Sequence, residues 1–225
     1  MKIIEARNYK ELSKIASEII IDEILEKPNL VMGFATGETP KKTYKNLIKA
    51  YKKKKVDFSK IKTFNLDEFY PIKENDLKSY RKYMLVKLFN KINVDEKNIH
   101  LLNGSTKNPE KECLEYEKKI NKKPIDLQIL GVGENGHIGF NEPGSSRNSK
   151  TRLVNLTHRK GKALTIGIST IMKAKKIILL ASGKKKAKAI QALIEGKQGN
   201  KFPVSFLKEH KNLIVVVDRK AGSLI

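Results

Sequence analysis

The sequence predicts an α/β protein: a three-layer, open and mostly parallel sheet with helices on both faces. Three observations predict it. Short apolar runs alternate with longer stretches of helical period along most of the chain, the pattern of strands joined by crossover helices. At 225 residues, with no linker-like tract, the chain fits one domain, 1–225, large enough to bury a substantial core. Three of the apolar runs end in short loops rich in glycine, threonine, acids or histidine, where an open α/β sheet would gather its ligand-binding groups.

Taken in order, the run at 2–6 predicts a strand, and Asn8 with Glu11 resembles a capping box opening a helix to about residue 25. The run at 30–35 predicts the second strand, after which Thr39 and Pro40 read as an N-cap followed by proline at the first helical position. Strands at 61–66 and 99–102 flank a helix over 79–91, and a helix over 109–120 leads to a strand at 125–131. Strands at 164–168, 176–181 and 213–217 follow, with helices over 184–194 and, shorter, 204–209. The alternation is Rossmann-like and carries no internal repeat. The lysine runs at 52–55 and 184–186 read as solvated charge at element ends.

The formal net charge of +23 invites a nucleic-acid partner, but the residues do not support one. Only Arg7, Arg81, Arg147, Arg152, Arg159 and Arg219 are arginines, and the lysines are scattered over polar helix faces with no interleaved aromatics for base stacking. What survives is a positive field that would draw in a small anionic substrate and weaken with salt. No apolar run reaches membrane-spanning length, and MKIIEARNYK has no secretory h-region, so a cytoplasmic protein without a membrane partner is expected. The lone Cys113 offers neither a disulfide framework nor a cysteine metal site.

The loop ATGETP, after the second strand, places Thr36, Gly37, Glu38 and Thr39 at a strand-to-helix turn whose backbone N–H groups suit an anion such as phosphate. Glu38 counts against that unless its carboxylate points away. No GxxxxGK[ST] pattern occurs, so nucleotide binding is not indicated. In NLDEF, adjacent Asp67 and Glu68 on extended backbone face opposite ways, so one can enter a site while the other is structural; a plain surface turn is the competing reading. The loop GVGENGHIGFNEPGSS contains a formal GxGxxG at Gly131, Gly133 and Gly136, but it comes late and no amphipathic helix follows, which argues against a dinucleotide fingerprint. Its His137, five residues before Glu142, has the makings of a general acid/base oriented by a carboxylate, against the competing reading of a surface histidine. The other histidines, His100, His158 and His210, form no ligand spacing with it, so no metal is expected.

Together these loops, with SYRKYM (79–84), IHLLNG (99–104), ALTIGIST (163–170) and LLASGKKKAKAIQALIEG (179–196), resemble the glucosamine-6-phosphate deaminase family over nearly the whole chain. GHIGFNEPGSS is the most specific stretch; the related 6-phosphogluconolactonases share the fold and the Gly-His dipeptide but lack FNEP. The resemblance implies conversion of D-glucosamine 6-phosphate and water to D-fructose 6-phosphate and ammonia, with no redox cofactor and no catalytic metal. It implies that His137, supported by Glu142 and Asn135, opens the sugar ring, and that Asp67 carries the C2 proton to C1. The substrate phosphate would rest on Thr36, Gly37, Glu38 and Thr39, with Lys186 adding charge. A lactonase of the same fold and a non-catalytic sugar-phosphate sensor are the alternatives.

The chain departs from the family pattern at several places. Asn135 stands where many members have Asp, and Glu38 where Gly or Ser is usual. After Leu156–His158 the family has a mobile lid carrying an arginine to the phosphate, whereas here RKGK runs straight into ALTIG, a short form lacking most of the lid. Arg159, Lys160 or Lys162 would have to replace that charge, and a weaker KM with a more open pocket is expected. Ser145 and Arg152 match effector-site positions of allosteric members, but Val154 stands where those have lysine, so allosteric activation is not expected. The chain also stops soon after VVVDRKAGSLI, which favours a monomer or small homo-oligomer.

Overall fold

A computed structural model describes residues 1–157 and 160–225. Its main sheet has seven strands and draws on nearly the whole length: β1 (Lys2–Ala6), β2 (Val31–Phe34), β3 (Lys62–Asn65), β5 (Ile99–His100), β6 (Leu127–Gly131), β9 (Lys176–Ala181) and β10 (Leu213–Asp218). All neighbours are parallel, in the order β1-β10-β9-β6-β2-β3-β5. From β2 the chain builds outward through β3 and β5, then returns to β6 and builds the other way. The strand order therefore reverses between β2 and β6, and their carboxyl ends open a crevice there.

Alternate residues of the same strands feed two separate cores, as a sheet covered on both faces requires. On one face Met32, Phe34, Ile178 and Val216 pack with Leu12, Ile20, Tyr44, Leu47 and Met84 of α1 (Tyr9–Glu26), α2 (Lys41–Lys52) and α3 (Tyr80–Lys87). On the other, Val31, Phe64, Leu130 and Val215 pack with Tyr116 and Ile120 of α4 (Pro109–Lys122) and with Ile190 and Leu193 of α6 (Ala187–Ile194). Each such fully buried aliphatic side chain contributes about 1.5–3 kcal/mol.

A second, antiparallel sheet of three strands, β4-β8-β7, runs off the end of β3: β4 (Asp67–Tyr70), β7 (Arg152–Asn155) and β8 (Lys162–Thr165). This corrects the expectation of a strand over 164–168 in the parallel sheet, since residues 162–165 pair with β4 and β7, and Ile168 already opens the short helix α5 (Ile168–Ile171). The strands β4 and β7 lie in segments where no strand was expected, because four residues give too little period to read.

Several boundaries also shift. Asn8 does cap α1, its Oδ1 accepting from the Glu11 N–H at 3.1 Å, but the Glu11 carboxylate reaches the N–H of Arg7 at 2.7 Å, so the capping box is only half made. Thr39 is not the cap of α2; Pro40 is, and it has no side-chain acceptor to offer. Ser79 caps α3, which stops at Lys87 before a 3-10 turn over Phe89–Lys91. The expected helix over 184–194 is 3-10 at Lys184–Lys186 before α6, and that over 204–209 is 3-10 over Pro203–Glu209. The fourth strand shrinks to Ile99–His100.

Glu68 joins the two sheets to α3. Its buried carboxylate accepts from the N–H groups of Phe69, Tyr80 and Arg81, each at 2.8 Å, taking up two of the donors that open α3. Burial pushes its carboxyl up from the usual range while these donors pull the other way. Glu68→Ala strands those N–H groups without an acceptor, at a cost of about 2–3 kcal/mol. Scanning calorimetry should show Tm falling by about 5–10 °C, with Glu68→Gln falling less; a loss under about 1 °C would contradict this role.

Candidate active site

The crevice at the strand-order reversal holds a cavity of about 420 Å³. It is lined by Ala35 to Pro40 from the turn after β2, by Asp67, by Gly133, His137 and Gly139 from the loop after β6, and by Tyr80, Phe140, Ser182 and Lys186. The sequence-predicted residues Thr36, Gly37, Glu38, Thr39, Asp67, His137 and Lys186 thus share one cavity. Glu142 lines a neighbouring cavity of about 660 Å³, where its carboxylate accepts from the N–H and Oγ1 of Thr157 at 2.7 and 2.5 Å.

Asp67 is the first residue of β4 and, like Glu68, is nearly buried at 6% exposure. Strand alternation sends the two carboxylates apart: Glu68 to the N-terminus of α3, Asp67 into the cavity. The loop after β6 crosses close to it, so that a methyl group on Gly139 would sit 3.4 Å from Asp67 Oδ2.

His137 is held from two sides. Asn135 Oδ1 faces both the His137 backbone N–H, at 3.2 Å, and Nδ1, at 2.7 Å. The backbone N–H can only donate, which fixes the amide oxygen there and so assigns the ring proton to Nδ1, leaving Nε2 as the basic nitrogen. The imidazole lies flat on Gly133, where a Cβ would fall 2.1 Å from Cε1 and Nδ1, so no other residue fits without displacing the ring. The loop is closed by Gly133 N–H donating to His137 C=O at 2.9 Å.

In the turn after β2, the N–H groups of Thr36, Gly37, Glu38 and Thr39 donate to no other group among the described residues. The first N–H groups of α2 itself are taken, Lys41 by Glu38 C=O and Lys42 by the Tyr9 hydroxyl. The donors left without a partner are therefore those of the turn rather than of the helix end. Glu38 was expected to count against an anion unless its carboxylate pointed away; its side chain is 85% exposed and its carboxylate pairs with Lys41 Nζ at 2.9 Å. Lys186 brings an ammonium whose pKa burial pushes down from the usual lysine range.

Sequence reasoning missed two supports of this site. Asp218, ending β10, accepts from Ser182 Oγ at 2.5 Å and from the Gly183 N–H at 3.0 Å, which anchors the turn that carries Lys186. Phe69, Tyr80 and Phe140 form an aromatic group beside Asp67, with Tyr80 and Phe140 stacked at 5.7 Å. The available signal for both was that these residues lie inside stretches already quoted, without any pattern that gave them a role. Elsewhere, His100 tilts against Phe64 at 4.6 Å and His210 Nε2 meets Ala174 C=O at 2.7 Å, both structural. His158 and Arg159 lie outside the described residues. Among the described residues no group of three or more His, Cys, Asp or Glu is placed to hold a metal, and no helix is long and apolar enough to cross a membrane.

Residues 6–216 match the family described as glucosamine-6-phosphate isomerases/6-phosphogluconolactonase. A glucosamine-6-phosphate deaminase of Clostridium novyi (strain NT) is 48% identical over 239 residues, covering 99% of each chain. One of Thermoanaerobacter sp. (strain X514) is 46% identical over 241 residues, covering all of this chain and 95% of that one. A solved structure described as a monomeric glucosamine-6-phosphate deaminase superposes with a TM-score of 0.97 at 41% identity over the whole of both chains. The alignment with the Clostridium novyi protein, at 239 positions, is longer than the 225 residues here, so that relative carries residues with no counterpart in this chain.

Titration with inorganic phosphate checks the charge assignments in the site. Lys186→Ala should lose about tenfold in affinity, while Glu38→Gln should change it by less than about twofold because that carboxylate is solvated and already paired. Equal effects from the two would contradict the assignment.

Proposed function

The chain belongs to the family of glucosamine-6-phosphate isomerases and 6-phosphogluconolactonases, and from that premise we propose that it converts D-glucosamine 6-phosphate and water to D-fructose 6-phosphate and ammonia. The observation that carries this is one cavity holding a buried carboxylate, Asp67, an oriented imidazole, His137, and an anion turn with Lys186. Phosphate on the turn leaves the sugar's reacting end to reach the other two groups.

His137 Nε2 takes the proton of the anomeric hydroxyl and passes it to the ring oxygen, so that the bond from C1 to the ring oxygen breaks and C1 becomes an aldehyde. Asp67 then takes the proton from C2 while the C1 oxygen takes one from water, giving an enolamine. The Asp67 carboxyl returns its proton to C1, the C2 amine gives one proton to the hydroxide so formed as C2 becomes an imine, water adds there and ammonia leaves. No hydride is transferred, so the reaction calls for no redox cofactor. Asn135 sets the tautomer of His137, and Glu142, with Thr157, supports the far end of the same loop. The whole chain, 1–225, acts as one catalytic domain, as a monomer or small homo-oligomer, in the cytoplasm. The description of the solved relative as monomeric supports the former, and the lone, buried thiol of Cys113 fits a reducing compartment.

The site is more open than a lidded one. Beside the β7–β8 pairing, Leu156 N–H donates to Gly161 C=O at 3.0 Å, and the sequence there is too short for the lid the family carries. A high KM is therefore expected, and a low-micromolar value would contradict an uncovered site.

A coupled assay for ammonia and fructose 6-phosphate tests the reading. Wild type should turn over glucosamine 6-phosphate. Asp67→Asn and His137→Gln should each lose about 10²–10⁴-fold in kcat while still binding phosphate. Gly133→Ala, which drives a methyl group into the imidazole, should lose about as much as His137→Gln. A wild type that binds the phosphosugar without releasing ammonia, or that prefers 6-phosphogluconolactone, would overturn the assignment.

A further inference from the structure

Three tyrosines to which the sequence reading gave no role converge on the turn after β2 from three different helices. Tyr44 of α2 donates its hydroxyl to Ala35 C=O at 2.5 Å, Tyr83 of α3 to Gly37 C=O at 2.6 Å, and Tyr9 of α1 to Glu38 C=O at 2.9 Å. Tyr9 also accepts the Lys42 N–H at 3.1 Å, serving as the side-chain cap that Pro40 cannot be. None of the three lines the cavity that holds Asp67 and His137, so all three hold the turn from its outer side.

The consequence follows from the planar trans peptide, in which the C=O of one residue and the N–H of the next point in opposite directions. With the carbonyls of Ala35, Gly37 and Glu38 drawn outward, the N–H groups of Thr36, Glu38 and Thr39 are turned to the opposite, cavity side. A flexible turn would instead spread its carbonyls and N–H groups over both sides, and a carbonyl facing a phosphate repels it. Burial raises the phenols of Tyr44 and Tyr83 above the usual tyrosine range, which keeps them protonated, and hence donors, through neutral and mildly alkaline pH.

We propose that Tyr9, Tyr44 and Tyr83 are positioning residues for phosphate recognition, acting as a three-point clamp that turns the peptide N–H donors of residues 36, 38 and 39 toward the substrate phosphate. The inference rests on the phosphosugar reading of this site and deepens it. It also assigns a function to the layer of α1, α2 and α3: one helix face packs the sheet and, at one end, three phenols fix the sign of the turn's dipoles. Preorganised donors bind an anion without the ordering cost that a mobile turn would carry.

The experiment uses the full-length protein and the variants Tyr83→Phe, Tyr9→Phe, Tyr44→Phe and the double variant Tyr9→Phe/Tyr83→Phe. Each removes one or two hydroxyls and keeps the ring. Inorganic phosphate affinity is measured by calorimetry at fixed low salt, and kcat and KM for glucosamine 6-phosphate are measured separately. The single variants should weaken phosphate about three- to tenfold and raise KM by the same factor, with kcat within about twofold of wild type, and the double variant should lose more than either single one. A merely structural role would lower Tm without this split. Unchanged phosphate affinity in Tyr9→Phe and Tyr83→Phe, or a fall in kcat at constant KM, would overturn the clamp. Should Tyr44→Phe not fold, the two partly exposed tyrosines decide the question. Phosphate binding is read without turnover, so a wild type that binds phosphate tyrosine-dependently but makes no ammonia refutes the deaminase reading and leaves the clamp standing. A wild type that makes ammonia, with variants that bind phosphate as it does, refutes the clamp alone.

Discussion

Everything in the site depends on the pairing of β2 with β6, the one junction where the strand order of the main sheet reverses. The pairing is short, Met32 with Leu127 and Gly33 with Gln128. It works because the buried Gln128 side chain lies across Gly33, where a Cβ would fall 2.0 Å from Gln128 Oε1. Gln128 Nε2 donates to Ile129 C=O at 2.8 Å, which holds the amide down on the sheet. Because this contact sets β2 against β6, the loops that follow them emerge side by side, and an anion turn and a histidine loop separated by roughly a hundred residues of sequence line the same cavity.

A common device recurs around that crevice: one polar group is spent on the scaffold so that its neighbour can face the substrate. Glu68 caps α3 and frees Asp67 to point the other way. Asn135 occupies both donors on the near side of His137 and leaves Nε2 as the basic nitrogen. Asp218 takes Ser182 and Gly183 so that Lys186 emerges on the cavity side. In each case the supporting group is short and multiply hydrogen bonded, so the reactive neighbour is held at small entropic cost.

Much of this was legible in the sequence, and the reasons differ between fold and site. The main-sheet strands β2, β6, β9 and β10 are buried along most of their length and read as largely apolar runs, and the loops after β2, β6 and β9 hold residues 36–39, His137 and Lys186. The division of Asp67 and Glu68 followed from strand alternation alone. The second sheet was not legible, because β4 and β7 are only four residues long, and the pairing of β4 with β8 joins segments far apart in sequence. Likewise Thr39 looked like a cap because Ser or Thr before Pro usually is one. Here a tyrosine from another helix takes that place, and no local pattern announces a cap supplied from 33 positions away. The seat of Glu142 beside Thr157 was hidden for the same reason: spacing to His137 is visible in sequence, whereas the partner across the hairpin is not.

The charge of +23 can now be separated into two effects that composition alone mixes together. Most lysines are exposed, on helix faces and in turns alike, where salt screens them within about 8 Å at physiological strength, so their effect is to raise the rate at which a small anion arrives. On the proposed reading, the bound state is decided by far fewer groups: the half-buried Lys186 ammonium and the peptide donors of the turn, which screening hardly touches. Adding salt should therefore slow capture more than it loosens the complex. On the proposed reading, this separates the lysine-rich surface from the site itself.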